Sequence, residues 1–269
     1  MEEKVIYNKF DSVEAFSKWL QDTPQTKKGK ILNESITNSF RFTGTESFEV
    51  ADDLMKFGDK ENADKINATI RKIQAHGKGY ETRNKLYNSP CGFLPVVPKV
   101  LAGDPQNMLA IKKQSYNSTK VLNVAYNATV SGSTSKENIL ETAAKVANVI
   151  ASLEKNGYRI NLYICLSVCS SCDDRIKAIA IIKIKDSGKY LDTLRIAYPL
   201  VNPSFLRRHI FAYLERLDGY KLGRNGYGYP FDDDEAKKYI PMKNFSYISH
   251  YICTGKTEEQ IAKYIENAK

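Results

Sequence analysis

The sequence is short of several features that would settle a function class directly. It has one tryptophan and three histidines, His76, His209 and His250, which stand apart from one another. No uninterrupted apolar run approaches the roughly 20 residues of a membrane-spanning helix. The first ten residues, MEEKVIYNKF, lack a basic-then-apolar leader, so a secretory signal is not expected and a cytoplasmic location is. Cysteines number five, Cys91, Cys165, Cys169, Cys172 and Cys253, an odd count that argues against a disulfide framework. Cys169 and Cys172 form a CxxC without a second pair, so a closed zinc site would need distant ligands, and Cys165 reads as a small buried hydrophobe. Catalytic signatures are missing too. Ser131 lies in VSGST, which is not a Gly-x-Ser-x-Gly elbow. The glycines of GKGYETRN (77 to 84) lack Walker spacing. Those of GRNGYG (223 to 228) precede no βαβ helix and no ribose-binding acid. No cofactor or resident metal is indicated.

What is present is ordinary globular composition, 42% apolar and 26% charged over 269 residues. Forty basic against 31 acidic side chains leave a formal charge of +9. Lysine is scattered, and its densest run, Lys27, Lys28 and Lys30, falls in a loop, which reads as a solvated basic surface. Contact with nucleic acid is the sharper alternative.

The chain divides near residue 110. Residues 1–110 read as a helical N-terminal region, with amphipathic helices expected over 11–22, 43–59 and 59–75. A segment with four of the nine prolines follows at 88–108. It is too apolar for free solvent and is expected to wrap against a core. Residues 111–269 read as α/β. KVLNVAYN (120–127) is a strand, 136–156 a long helix with Thr134 and Glu137 as its capping box, and 158–168 a second buried strand. Strand, crossover helix and strand make the βαβ unit of a parallel sheet. Strands at 175–186 and 195–201 follow, then a helix from Ser204 to Leu217, a Tyr/Gly-rich loop, and a final helix at 257–268 opened by Thr257 and Gln260. The fold class is therefore α/β, a partly parallel sheet with flanking helices, preceded by a small helical region. His209 is expected to be a packing histidine on its helix, and Asp232, Asp233 and Asp234 to cap the helix after them.

At the βαβ unit the chain resembles a von Willebrand A-type domain. Those domains carry a metal-coordinating Asp-x-Ser-x-Ser at the end of the first strand, and the matching positions here read Asn127-Ala-Thr129-Val-Ser131. An amide stands where the family has a carboxylate, which should sharply lower affinity for Mg²⁺. Four further blocks, at 42–58, 90–108, 153–164 and 198–216, resemble an uncharacterised family of tailed-phage proteins, sometimes described as like the cobalt-chelatase subunit that carries such a domain. That resemblance implies a phage or prophage origin and brings no catalytic residue.

Two candidate surfaces emerge. One is the degenerate metal-site edge of Asn127, Thr129 and Ser131, joined by Asp173 and Asp174 in the loop after the next strand; both leave the carboxyl ends of parallel strands. The other is the loop holding Tyr220, Arg224, Tyr227 and Tyr229, with Arg207 and Arg208 adding a basic strip. Tyr and Arg suit either a protein hot spot or stacking on unpaired bases. The expected function is non-enzymatic. In this reading a phage-encoded interaction protein binds an AAA-type ATPase or a host defence complex, with homo-oligomers compatible. Single-stranded nucleic-acid binding and a metal-dependent hydrolase are the alternatives.

Overall fold

The computed structural model describes residues 3–25, 43–76, 85–112, 120–130, 134–223 and 226–267. Ser131 and Arg224 lie outside them.

The expected βαβ unit is present. Strand β5 (Val121–Asn127) leads through a 20-residue helix, α5 (Lys136–Lys155), to β6 (Arg159–Cys169), which pairs parallel to β5. Helix α5 begins at Lys136 as expected, but its cap is Ser135 rather than Thr134, with Ser135 Oγ accepting the Asn138 N–H at 3.2 Å. Its Ala143, Ala147, Ile150 and Leu153 are buried, and Gly157 closes it at φ +91°. From β6 the chain turns back antiparallel into β7 (Ile176–Lys185). Along both strands nearly every residue is buried, so the apolar run is continuous rather than alternating, as in sheets covered on both faces.

The sheet is completed from both ends of the chain. Strand β1 (Lys4–Phe10) lies parallel to β7, and β9 (Phe245–Ser249) lies parallel to β5, giving the order β1-β7-β6-β5-β9. A two-residue strand, β8 (Tyr229–Pro230), pairs with the end of β6. The architecture is α/β with a mostly parallel mixed sheet flanked by helices, consistent with a Rossmann-like fold. The region before residue 110 is thus not only helical. Besides β1 it supplies α1 (Val13–Asp22), α2 (Phe48–Phe57) and α3 (Lys60–His76). Phe10, Phe16, Ala51 and Ile66 sit in the same apolar core as Val124, Ile150 and Ile182, so one core spans the line near residue 110.

Two expectations are overturned. The segment 195–201 is not a strand but part of α6 (Thr193–Val201), started by Asp192, whose carboxylate accepts the Leu194 N–H at 3.0 Å. A short apolar run does not by itself distinguish a strand from a buried helix. After α6 comes one widened helical stretch, a π-helix over Phe205–Ile210, continuing into α7 (Phe211–Arg216).

The proline-rich segment does not wrap against the core. Within 85–112 the chain makes a second antiparallel sheet, β2 (Lys85–Ser89), β3 (Leu94–Pro95) and β4 (Met108–Lys112), with β4 in the middle and a short helix α4 (Val97–Leu101) between β3 and β4. Its prolines sit where no amide proton is needed, Pro98 in the first turn of α4 and Pro95 at a strand end. Gly92 lets the chain pass β4 closely, since a Cβ there would lie 2.1 Å from the Leu109 carbonyl. With local hydrogen bonds made this way, the segment stands apart, and none of its described residues joins either apolar core.

Further on, α8 (Asp233–Tyr239) begins at Asp232, whose side chain caps Asp234 and Glu235. A four-residue helix, α9 (His250–Cys253), follows β9, and α10 (Glu258–Asn267) opens with the expected box between Thr257 and Gln260, at 3.0 and 3.3 Å.

Candidate functional site

Strand β5 has a parallel neighbour on each side, β6 reached through α5 and β9 arriving from the far end of the chain. The carboxyl end of β5 leads through α5 to β6 and lies beside the carboxyl end of β9, the edge at which open α/β sheets hold ligands. Asn127 ends this strand, only 2% exposed. Its Nδ2 donates to Ser167 Oγ at 2.9 Å, and its Oδ1 accepts the Thr129 N–H at 3.0 Å. Thr129 Oγ1 in turn accepts the Ser167 N–H at 3.2 Å. The amide uses a donor and an acceptor at once, which an ionised carboxylate cannot do. Asn127 and Thr129, read as a degenerate metal edge, are thus the buried lock of the loop after β5.

A second polar group, missed in the sequence, lies at the end of β9. Ser249 Oγ donates to Asp233 Oδ2 at 2.6 Å and accepts the Ile252 N–H at 3.0 Å. Asp233 was legible only as a helix cap. Its reach to the sheet edge depends on β9 lying beside β5, which no local pattern encodes.

Asp173 and Asp174 are not brought to Asn127. Asp173 grips Arg175 through two bonds of 2.8 and 3.0 Å, and that guanidinium holds its carboxyl below the usual range. Both acids line a separate shallow depression with Cys169, Ser170 and Cys172. Cys169 Sγ donates to the Tyr229 carbonyl at 3.3 Å, Cys165 is fully buried, and burial pushes its thiol up. Among the described residues no cluster of three metal-ligating side chains forms.

The tyrosine loop is largely core. Tyr220 is 1% exposed and donates its hydroxyl to the Tyr227 carbonyl at 2.6 Å. Tyr227 stacks on Phe211 with centroids 3.8 Å apart and donates its hydroxyl to Glu215. These two rings are therefore not free platforms for bases, which corrects their reading as an exposed interaction loop. Gly228, at φ +141°, packs so closely that a Cβ would fall 2.2 Å from the Cys169 carbonyl. Tyr229 alone of the three tyrosines projects outward, 59% exposed.

Arg207 and Arg208 do not form a strip either. Arg208 is fully buried, its Nε donating to Thr45 Oγ1 at 2.7 Å and its Nη2 to the Thr45 carbonyl at 2.7 Å and Thr43 Oγ1 at 3.1 Å. It ties the segment just before α2 to the π-helix. His209 is also fully buried, as expected of a packing residue. Its Nδ1 lies 2.8 Å from the Tyr198 hydroxyl, and burial holds the imidazole below its ordinary value. Its Nε2 faces Asp52 at 3.7 Å, too long for a proper hydrogen bond; with Lys56 at 2.5 Å it helps lower Asp52 to about 2.

Arg207 points the other way, into a cleft of about 460 Å³. Consecutive residues on a helix point roughly 100° apart, so these neighbours meet different surroundings, and the π-helical turn that carries them is a distortion often found beside functional sites. Here the two surfaces meet. Thr129 and Val130 from the end of β5, Leu206 and Arg207 from the π-helix, and Tyr227 and Tyr229 from the loop line one cavity, with Leu166, Val168 and Phe211 adding to its apolar wall. Burial lowers the Arg207 pKa from its ordinary value, as for a cation set among apolar groups. The volume and the mixture of apolar wall and few polar groups suit a ligand or a side-chain anchor.

A family model described as "Domain of unknown function (DUF7192)" matches residues 1–267. The chain belongs to this family. The DUF7192 match spans both the α/β sheet and the exposed β2-β4-β3 segment, so both are parts of one family unit. No curated protein and no solved structure matches the chain. Among the described residues no helix is long and apolar enough to cross a membrane.

Proposed function

We propose that this protein is a non-enzymatic interaction protein that seats an apolar anchor of a partner protein in the cleft at the carboxyl edge of the sheet. The observation that carries the reading is the convergence of residues 129–130, 206–207 and 227–230 on one cavity. Segments so far apart in sequence form a preorganised pocket whose polar atoms behind the wall are already committed to one another. A pocket of this kind offers burial and one cationic group, the features of an interface hot spot. Among the described residues that line the cleft there is no Asp, Glu, His, Cys or Lys, and this supports binding over catalysis. The tailed-phage resemblance suggests an AAA-type ATPase or a host defence complex as the partner.

The test uses the full chain and two variants, Leu206→Asp in the cleft wall and Tyr229→Ala at its rim, in affinity purification from the native host. A stoichiometric partner held by the wild type and lost at least tenfold by Leu206→Asp, with the unfolding midpoint little changed, is the expected result. No partner, or one retained equally by both variants, refutes the proposal.

A further inference from the structure

Neither cysteine of the CxxC lines the cleft, yet the turn that carries them holds the cleft's rim. Cys169 is the last residue of β6 and half-buried, and Cys172 is exposed in the turn that follows. The chain bends at Ser171 and Cys172, and Ser170 Oγ accepts the Cys172 N–H at 3.1 Å. A hydroxyl turn of this kind draws the third residue back toward the first. Both cysteines line the same shallow depression. Burial raises the Tyr220 hydroxyl pKa and both thiols add to that rise, which sets the two sulfurs about one buried phenol. A disulfide needs Cα atoms about 4.4–6.8 Å apart. Four extended residues span roughly 10 Å, and the bend shortens that span toward the required range. Of the other thiols, Cys165 and Cys253 are buried, and Cys91 lies between β2 and β3.

The turn grips the rim loop at several points. Cys169 Sγ donates to the Tyr229 carbonyl at 3.3 Å, and β8 pairs with β6 at Val168 and Cys169. Ser170 Oγ donates to the Lys221 carbonyl at 2.5 Å. Ser171 Oγ donates to the Gly226 carbonyl at 2.7 Å and accepts the Gly223 N–H at 2.9 Å. Residues 226–230, anchored in this way, line the cleft. A disulfide sulfur has no proton to donate, so closing the bond removes the Cys169 contact to Tyr229 and draws that sulfur toward Cys172.

We propose that Cys169 and Cys172 are a reversible thiol–disulfide pair, oxidised by a low-molecular-weight disulfide such as oxidised glutathione, whose closure loosens the rim of the cleft. The exposed Cys172 thiolate attacks one glutathione sulfur, forming a mixed disulfide and expelling one glutathione thiolate. Cys169 then attacks the Cys172 sulfur, and the second glutathione thiolate leaves. Two electrons pass from the protein thiols to the glutathione disulfide, and the two thiol protons end on the two glutathione thiols. The effect on partner capture rests on the cleft reading above. The disulfide and the loosening of β8 do not.

Incubating the full chain with oxidised glutathione tests this without any partner. The tryptic peptide 160–175, which carries both residues, should lose two hydrogens by mass spectrometry and regain them in dithiothreitol. Cys169→Ser should stop at a glutathione adduct on Cys172. Hydrogen exchange over residues 227–231 should quicken about fivefold on oxidation of the wild type, the scale of one net hydrogen bond. Cys172→Ser under the same treatment should show no such change. A wild type that keeps both thiols in excess oxidised glutathione, or a disulfide that leaves exchange at β8 as it was, overturns the inference. A partner that Leu206→Asp fails to release would sink the cleft reading alone and leave these mass and exchange results standing.

Discussion

Replacing Asn127 tests whether the loop after β5 is held by the amide network. In Asn127→Ala the Thr129 N–H loses its acceptor and Ser167 Oγ loses its donor, both inside a buried site. An unpaired buried N–H costs about 1–3 kcal/mol, and the lost bond to Ser167 adds about 1 kcal/mol. The expected destabilisation is about 2–4 kcal/mol. Asn127→Asp behaves differently. It keeps an acceptor for Thr129, and the Ser167 hydroxyl can turn to donate, so the remaining cost is burial of a charge. A buried carboxyl has a folded pKa above its unfolded value. The stability it contributes is present below the unfolded pKa and is lost as pH rises through the folded one. The aspartate variant should therefore approach the wild type as the pH falls from about 8 to about 5, whereas the alanine gap should stay constant. Urea denaturation followed through the single tryptophan, Trp19, is a suitable readout, since its ring packs 5.2 Å from Tyr213 and 5.8 Å from Phe10. An alanine variant within about 0.5 kcal/mol of wild type would refute the account of the loop, because that range is typical of surface substitutions.

Two other outcomes follow from the packing. Burial keeps His209 and His250 below the ordinary histidine value, so the unfolded chain binds more protons than the fold as the pH drops below about 6.5. Stability should fall with acidification through that range, and His209→Gln should flatten part of the slope in urea midpoints compared at about pH 7 and pH 5, His250 supplying the rest. Gly228→Ala would drive a Cβ into the Cys169 carbonyl at a positive φ, so β8 must leave β6; a loss of about 1–3 kcal/mol and weaker partner capture are expected, measured by denaturation and pull-down.

The sequence carried the parts of the fold that are local. The periodicity of residues 136–155, Gly157 behind them and the box of Thr257 and Gln260 each depend on a few neighbouring side chains, and they stand as read. The alternation to strand, helix and strand at 121–169 was legible for the same reason. The helix at 193–201 was not, because its apolar run satisfies both periods and only burial against the core chooses between them. Strand β1 was missed since its partner, β7, begins 172 residues after it; seven residues of mixed polarity gain strand geometry only from that neighbour.

The candidate site divides the same way. Sequence placed Asn127 and Thr129 at a strand end and identified His209 as a packing group. Only tertiary structure decided that Asn127 spends both its polar atoms internally, that Arg207 lines the cleft while Arg208 is buried against Thr43 and Thr45, and that Tyr227 is a wall while Tyr229 is a rim. The proline-rich segment shows the limit most plainly. Its composition demanded burial, but composition cannot say against what, and among the described residues its Leu86, Leu94 and Ile111 remain exposed. Short-range patterning sets which residues form an element, whereas long-range pairing sets which atoms remain available to a partner.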